Sequence, residues 1–112
     1  MITVTIDKVG NEHSVTMVGH AGTAPRGYDL VCAGASALCL AMAQVLQENE
    51  DKLKHKAHVI IKEGDVSMRW EAKPKYEKAL LQCLYAIHTG LRVLAYNHPD
   101  CIALEQPSKI VH

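Results

Sequence analysis

The sequence predicts an α+β fold: a single mixed β-sheet with two helices, in the order ββαββαβ, forming one domain over residues 1–112. Three observations carry this. Apolar and polar residues alternate with period two in several short stretches. Two longer stretches carry apolar residues at helical spacing. Turn-forming residues separate one kind of stretch from the other.

Ile2, Val4 and Ile6 alternate with Thr3, Thr5 and Asp7, giving a first strand with one buried face. Gly10-Asn11 marks a turn, and Val15 and Met17 continue a second strand up to Gly19, so the two form a hairpin. Residues 19 to 29 hold three glycines and a proline and read as a loop, with Gly22 and Gly27 as its hinges. Asp29 is placed to cap a helix from about Leu30 to about Gln47. Ala33, Ala35, Ala37, Ala41 and Ala43 put small residues on several faces of that helix, which suggests burial among close neighbours. Ala57, Val59 and Ile61 make a third strand. Glu63-Gly64-Asp65 is a tight turn, and Val66, Met68, Trp70 and Ala72 make a fourth strand with Ser67, Arg69 and Glu71 facing out. Pro74 suits a helix start. Leu80, Leu84, Ile87, Leu91 and Leu94 then keep helical spacing through about Tyr96. His98-Pro99-Asp100 breaks the chain before a short last strand with Ile102 and Leu104, and the tail from Gln106 reads as loosely held.

Composition narrows the function classes. Phe is absent, and Trp70 plus four Tyr are the only aromatics, so the core is aliphatic with Ala and with Met17, Met42 and Met68 as fillers. The 12 basic and 12 acidic residues cancel, which disfavours direct nucleic-acid binding, because that affinity rests on neutralising phosphates. Lys52, Lys54 and Lys56, with Lys73 and Lys75, read as a solvated strand face. The N-terminus alternates like a strand and has no basic leader region. The apolar stretch Val31 to Leu46 is broken by Ser36 and Gln44 and falls short of the roughly 20 residues of a membrane span. No membrane association and a cytoplasmic location are therefore expected. Free thiols follow for the four cysteines. Cys32 and Cys39 are too far apart for a disulfide, since seven helical residues rise about 10 Å.

Among these thiols Cys32 stands out by position, in the first turn of helix one directly after the glycine-rich loop. A helix N-terminus offers unpaired N–H groups and positive potential, which favour thiolate and can stabilise an oxyanion. His20 lies at the other end of the loop, twelve residues away, close enough in chain to fold back and exchange a proton with Cys32. By spacing alone the catalytic signal is weak, and a lone cysteine near a helix start is more usually a small core residue. Ser36, one turn later on the same face, either joins a site or packs. Asp29 either caps the helix or orients His20 or substrate. Cys39, Cys83 and Cys101 sit in apolar periodic segments and read as core thiols. The other histidines are scattered, and His13, His20 and Cys32 lack the tight ligand pairs of a zinc site, so neither metal nor cofactor is expected.

The string Gly19-His20-Ala21-Gly22, followed by Gly27-Tyr28-Asp29-Leu30-Val31-Cys32-Ala33-Gly34-Ala35-Ser36, resembles the signature of the ribosomal-processing cysteine proteases, the Prp family. The resemblance extends to chain length and element order. It implies Cys32 as nucleophile and His20 as its partner, with Asp29 and Ser36 at the corresponding positions of the pattern. It also implies a homodimer, a flexible loop between His20 and Cys32, and a peptide substrate. That substrate is the N-terminal extension of a bacterial large-subunit ribosomal protein, which ends in a leucine- and phenylalanine-containing segment cut before an alanine. The alternative is a ribosome-associated binding module with a catalytically inactive site.

Overall fold

The computed structural model describes residues 1–19 and 28–106. The observed order is β1 (Ile2–Val9), β2 (Glu12–Val18), α1 (Tyr28–Glu48), β3 (His58–Lys62), β4 (Asp65–Trp70), α2 (Glu77–Asn97) and β5 (Ile102–Glu105). The strands form one mixed sheet in the spatial order β3-β4-β2-β1-β5. All neighbours are antiparallel except β1 and β5, which run parallel. This is the α+β architecture that the alternating and helical periodicities predict.

Both hairpin turns use glycine where the backbone needs it. Gly10 is the first central residue of the β1–β2 turn with φ +62°, and Gly64 the second central residue of the β3–β4 turn with φ +73°. Each turn is two residues long, so the flanking residues form the first hydrogen-bonded pair and alternation fixes the rest. His13, Val15 and Met17 thus bond toward Trp70, Met68 and Val66, their register partners on β4. On β3, His58, Ile60 and Lys62 bond toward β4, leaving the main-chain groups of Val59 and Ile61 directed away from the sheet.

The helices cover one face. The core joins Ile2, Val4, Val15, Met17, Val66, Met68 and Trp70 of the sheet to Val31, Ala35, Cys39, Met42 and Leu46 of α1 and Leu80, Leu84 and Leu91 of α2. Methionines 17, 42 and 68 fill this aliphatic interior as expected. The helices approach closely through small residues, with Gly34 facing Leu94 and Gly90 facing Leu38. His13 is buried, stacks on Trp70 with ring centroids 5.3 Å apart, and sits 2.6 Å from Glu77 at the start of α2.

Several expectations are refined or corrected. Helix one is buried among close neighbours along one stripe, as expected, while Leu40 and Gln44 on its other side are exposed. It is apolar and long enough to cross a membrane by composition, yet that stripe packs on the sheet. The lysine run is not a strand face. Glu50–Lys52 is a single 3-10 turn, Leu53 makes an isolated bridge to Ala72, and Lys54 donates a 2.6 Å hydrogen bond to Glu71. That bond holds the Glu71 carboxyl below its usual range. Pro74 opens a 3-10 turn, Pro74–Tyr76, ahead of α2. Cys83 is exposed on α2, whereas Cys39 and Cys101 are buried.

Candidate active site

The direction of α1 over the sheet decides what meets at its N-terminus. Cys39 Sγ lies 3.8 Å from Met17 Sδ, near the end of β2. Met42, further along α1, shares a small cavity with Val15 and His13, which come earlier on β2. The helix therefore runs opposite to β2. Seven residues back from Cys39, a rise of about 10 Å, Cys32 lies beyond Met17 toward Gly19. The residue that precedes His20 and the helix turn that carries Cys32 thus share one end of the sheet.

Gly19 is pinned there. Its N–H donates a 3.0 Å hydrogen bond to the carbonyl of Gly64 in the β3–β4 turn. Sequence alone shows a turn at Gly64, but not that the turn anchors the chain next to His20. His20, Gly22 and Gly27, and with them the expected mobile loop, lie outside the described residues.

The helix begins earlier than its sequence suggests. With Tyr28 as its first residue, Asp29 is exposed within the first turn rather than capping it. Cys32 likewise falls one turn inside the helix. A helical Cα–Cβ bond tilts toward the N-terminus, so the thiol still leans over the first turn, whose N–H groups have no partner within the helix. Cys32 is half-buried and packs against the core edge, and Ser36 is half-buried one turn later on the same side.

The other thiols differ in kind. Burial pushes the Cys39 thiol up from 9.0 to about 11, which keeps it neutral and unreactive near neutral pH. Cys101 is also buried, and Cys83 is open to solvent on the outer side of α2. Among the described residues no three His, Cys, Asp or Glu side chains gather as a metal site would require.

The family model of the cysteine protease Prp matches residues 1–103. The fold matches a protein from Streptococcus mutans, SMU.848, at a TM-score of 0.68 and 23% identity, over 96% of this chain and 95% of that one. It also matches the ribosomal processing protease Prp from S. aureus in complex with a substrate peptide, at a TM-score of 0.72 and 20% identity, over 95% of this chain and 99% of that one. The same S. aureus protease with a covalently linked product peptide matches at a TM-score of 0.65 and 20% identity, with the same coverage. No curated protein matches the chain.

Proposed function

The chain belongs to the cysteine protease Prp family, and on that premise we propose that it removes the N-terminal extension of a bacterial large-subunit ribosomal protein, using Cys32 and His20 as a dyad. The observation that carries the reading is the convergence of Gly19 and the first turns of α1 at one end of the sheet, within a chain that matches a cysteine-protease family over nearly its whole length. The S. aureus relative has been solved with a covalently linked product peptide, the kind of adduct a cysteine nucleophile forms.

In this reading His20 takes the proton of the Cys32 thiol as sulfur attacks the scissile carbonyl carbon. The oxyanion faces the free N–H groups of the first helical turn. Collapse of the tetrahedral intermediate breaks the C–N bond, and His20 returns the proton to the leaving amine. His20 then takes a proton from water as that water attacks the thioester. Collapse of this second tetrahedral intermediate breaks the C–S bond, His20 returns its proton to the sulfur, and the product leaves as a carboxylic acid that ionises in water. In the same proposal Asp29, exposed on the first turn, meets substrate or orients His20, and half-buried Ser36 hydrogen-bonds within the site.

The enzyme acts in the cytoplasm as a homodimer in this proposal. Leu81, Tyr85, Val93 and Tyr96 form an exposed apolar stripe along α2 that a second copy would cover. Incubating the protein with the extended ribosomal protein of its own genome tests the activity. Wild type should release the extension at one site, and Cys32→Ala and His20→Ala should not. Cleavage by Cys32→Ala at the wild-type rate would remove Cys32 from the mechanism.

A further inference from the structure

From the open edge of the sheet and the face of α1 above it, we infer that the groove between α1 and β3 holds the substrate peptide as an added strand. The inference rests on the protease reading and locates its substrate. Three independent features lead to this groove rather than another surface.

The first is a strand edge that pairs with no other strand among the described residues. β3 is the outermost of the described strands, and the two-residue turn leaves the N–H and C=O groups of Val59 and Ile61 directed outward. All five of its residues are exposed. An uncovered edge of this kind is a template for another extended chain.

The second is an apolar channel beside that edge. Val59 and Ile61 share a sheet face with Met68 and Val66, the face the helices cover, but among the described residues no helix buries them. They remain 38% and 51% exposed, against 0% and 4% for Met68 and Val66. Across from them Leu40 and Ala43 of α1 complete a groove of about 380 Å³, which continues past Ala57 to Gln47. A strand paired to β3 would turn every second side chain into it.

The third is continuity with the nucleophile. Cys32, Ser36, Leu40, Ala43 and Gln47 follow one another at helical spacings of four, four, three and four, so they form one stripe along α1. The stripe starts at the proposed nucleophile and ends at the far mouth of the groove. Its length is about 22 Å at 1.5 Å per residue, room for about six residues of extended peptide. Because α1 runs opposite to β2, and β2 and β3 run the same way, Ile61 is the β3 groove residue nearest the catalytic end. A peptide leaving Cys32 therefore meets Leu40 and Ile61 first.

A labelled peptide spanning the cleavage junction of the extended ribosomal protein provides the test. Its affinity is measured by fluorescence anisotropy on the Cys32→Ala protein, and its turnover on the otherwise unchanged enzyme. Leu40→Glu should weaken binding by about tenfold or more, and raise KM with a smaller change in kcat. Backbone N-methylation of the peptide, which leaves the protein untouched, should impair binding at alternate residues only, since one N–H in two faces β3. Unchanged affinity for Leu40→Glu together with a flat N-methylation profile, while wild type cleaves, would overturn the groove and leave the protease reading standing. Loss of binding in Leu40→Glu with no cleavage by wild type would do the reverse. If Leu40→Glu turned a dimer into a monomer that bound peptide as before, the edge would belong to a second copy and the inference would fail.

Discussion

Replacing Gly64 by Ala is expected to damage the enzyme twice, and Gly10→Ala is its matched control. Both glycines have positive φ, +62° at Gly10 and +73° at Gly64, so a Cβ carries the left-handed penalty at either position, about 1 kcal/mol. They differ in surroundings. A Cβ on Gly10 would meet nothing within 4 Å, while one on Gly64 would lie 2.9 Å from the carbonyl oxygen of Gly19. That oxygen is backbone and cannot swing aside as a side chain can. Relief requires moving Gly19, which strains or breaks its 3.0 Å hydrogen bond to the Gly64 carbonyl, worth about 1 kcal/mol net. Gly64→Ala should therefore cost about 2 kcal/mol against about 1 for Gly10→Ala in urea unfolding. The second consequence is catalytic. Gly19 precedes His20, and misplacing a reacting group by about 1 Å can cost roughly a hundredfold in rate. At a temperature where both variants are folded, kcat should fall at least about tenfold in Gly64→Ala and stay near wild type in Gly10→Ala. Equal stabilities and equal kcat for the two variants would refute the idea that the β3–β4 turn positions His20.

Iodoacetamide labelling of the native protein, read by mass spectrometry, should spare buried Cys39 and Cys101 and modify exposed Cys83. Cys32 should label faster than Cys83, and His20→Ala should remove that advantage. Between pH 9 and 11 the unfolded chain loses the Cys39 proton that the folded protein retains, so this thiol's contribution to stability falls as pH rises through that window. The stability advantage of wild type over Cys39→Ala should shrink by about 3 kcal/mol across the window, and a constant difference would place the thiol outside the apolar core. Trp70→Ala removes the ring that His13 stacks on and opens the core beneath α2; it should cost about 3–5 kcal/mol in denaturant unfolding.

Most of the fold was legible because period and punctuation agree locally. Strand alternation at Ile2–Val4 and Val66–Trp70 matches the buried face residue by residue, while Ile6 packs half-buried at the margin of the core. The Leu80-Leu84-Leu91 spacing likewise matches the buried stripe of α2. The misreadings have physical causes. Cys83 follows Leu80 by three residues and shares the apolar tone of its segment, but the core side of α2 is set by Leu80, Leu84 and Leu91, and Cys83 falls outside it. Lys52, Lys54 and Lys56 alternate in sequence, yet Glu50–Lys52 closes as a 3-10 turn whose position depends on pairing across to Ala72 and Glu71. At the site, Cys32 could be picked out from a helix start and a motif. The contact between Gly19 and Gly64 could not, because it joins residues 45 positions apart through backbone atoms that carry no side-chain signal.

The expected burial of α1 among close neighbours holds along one stripe and stops at Leu40. Its small and apolar residues exceed what packing on one sheet face requires, and Leu40 is left 45% exposed beside Val59 and Ile61. A soluble helix with a single buried stripe normally places polar residues opposite it, and departures from that rule concentrate where function demands them. The departure here borders a strand edge whose outward main-chain groups pair with no other strand among the described residues, and it leads back to Cys32. An exposed leucine alone would mean little. One that lines a groove about 380 Å³ in volume, between the helix carrying the proposed nucleophile and an edge strand, matches what an extended peptide needs: hydrogen-bonding partners along one side and apolar contact for alternate side chains. The excess apolar character of α1 is accordingly attributed to substrate, since the core already fills its other face.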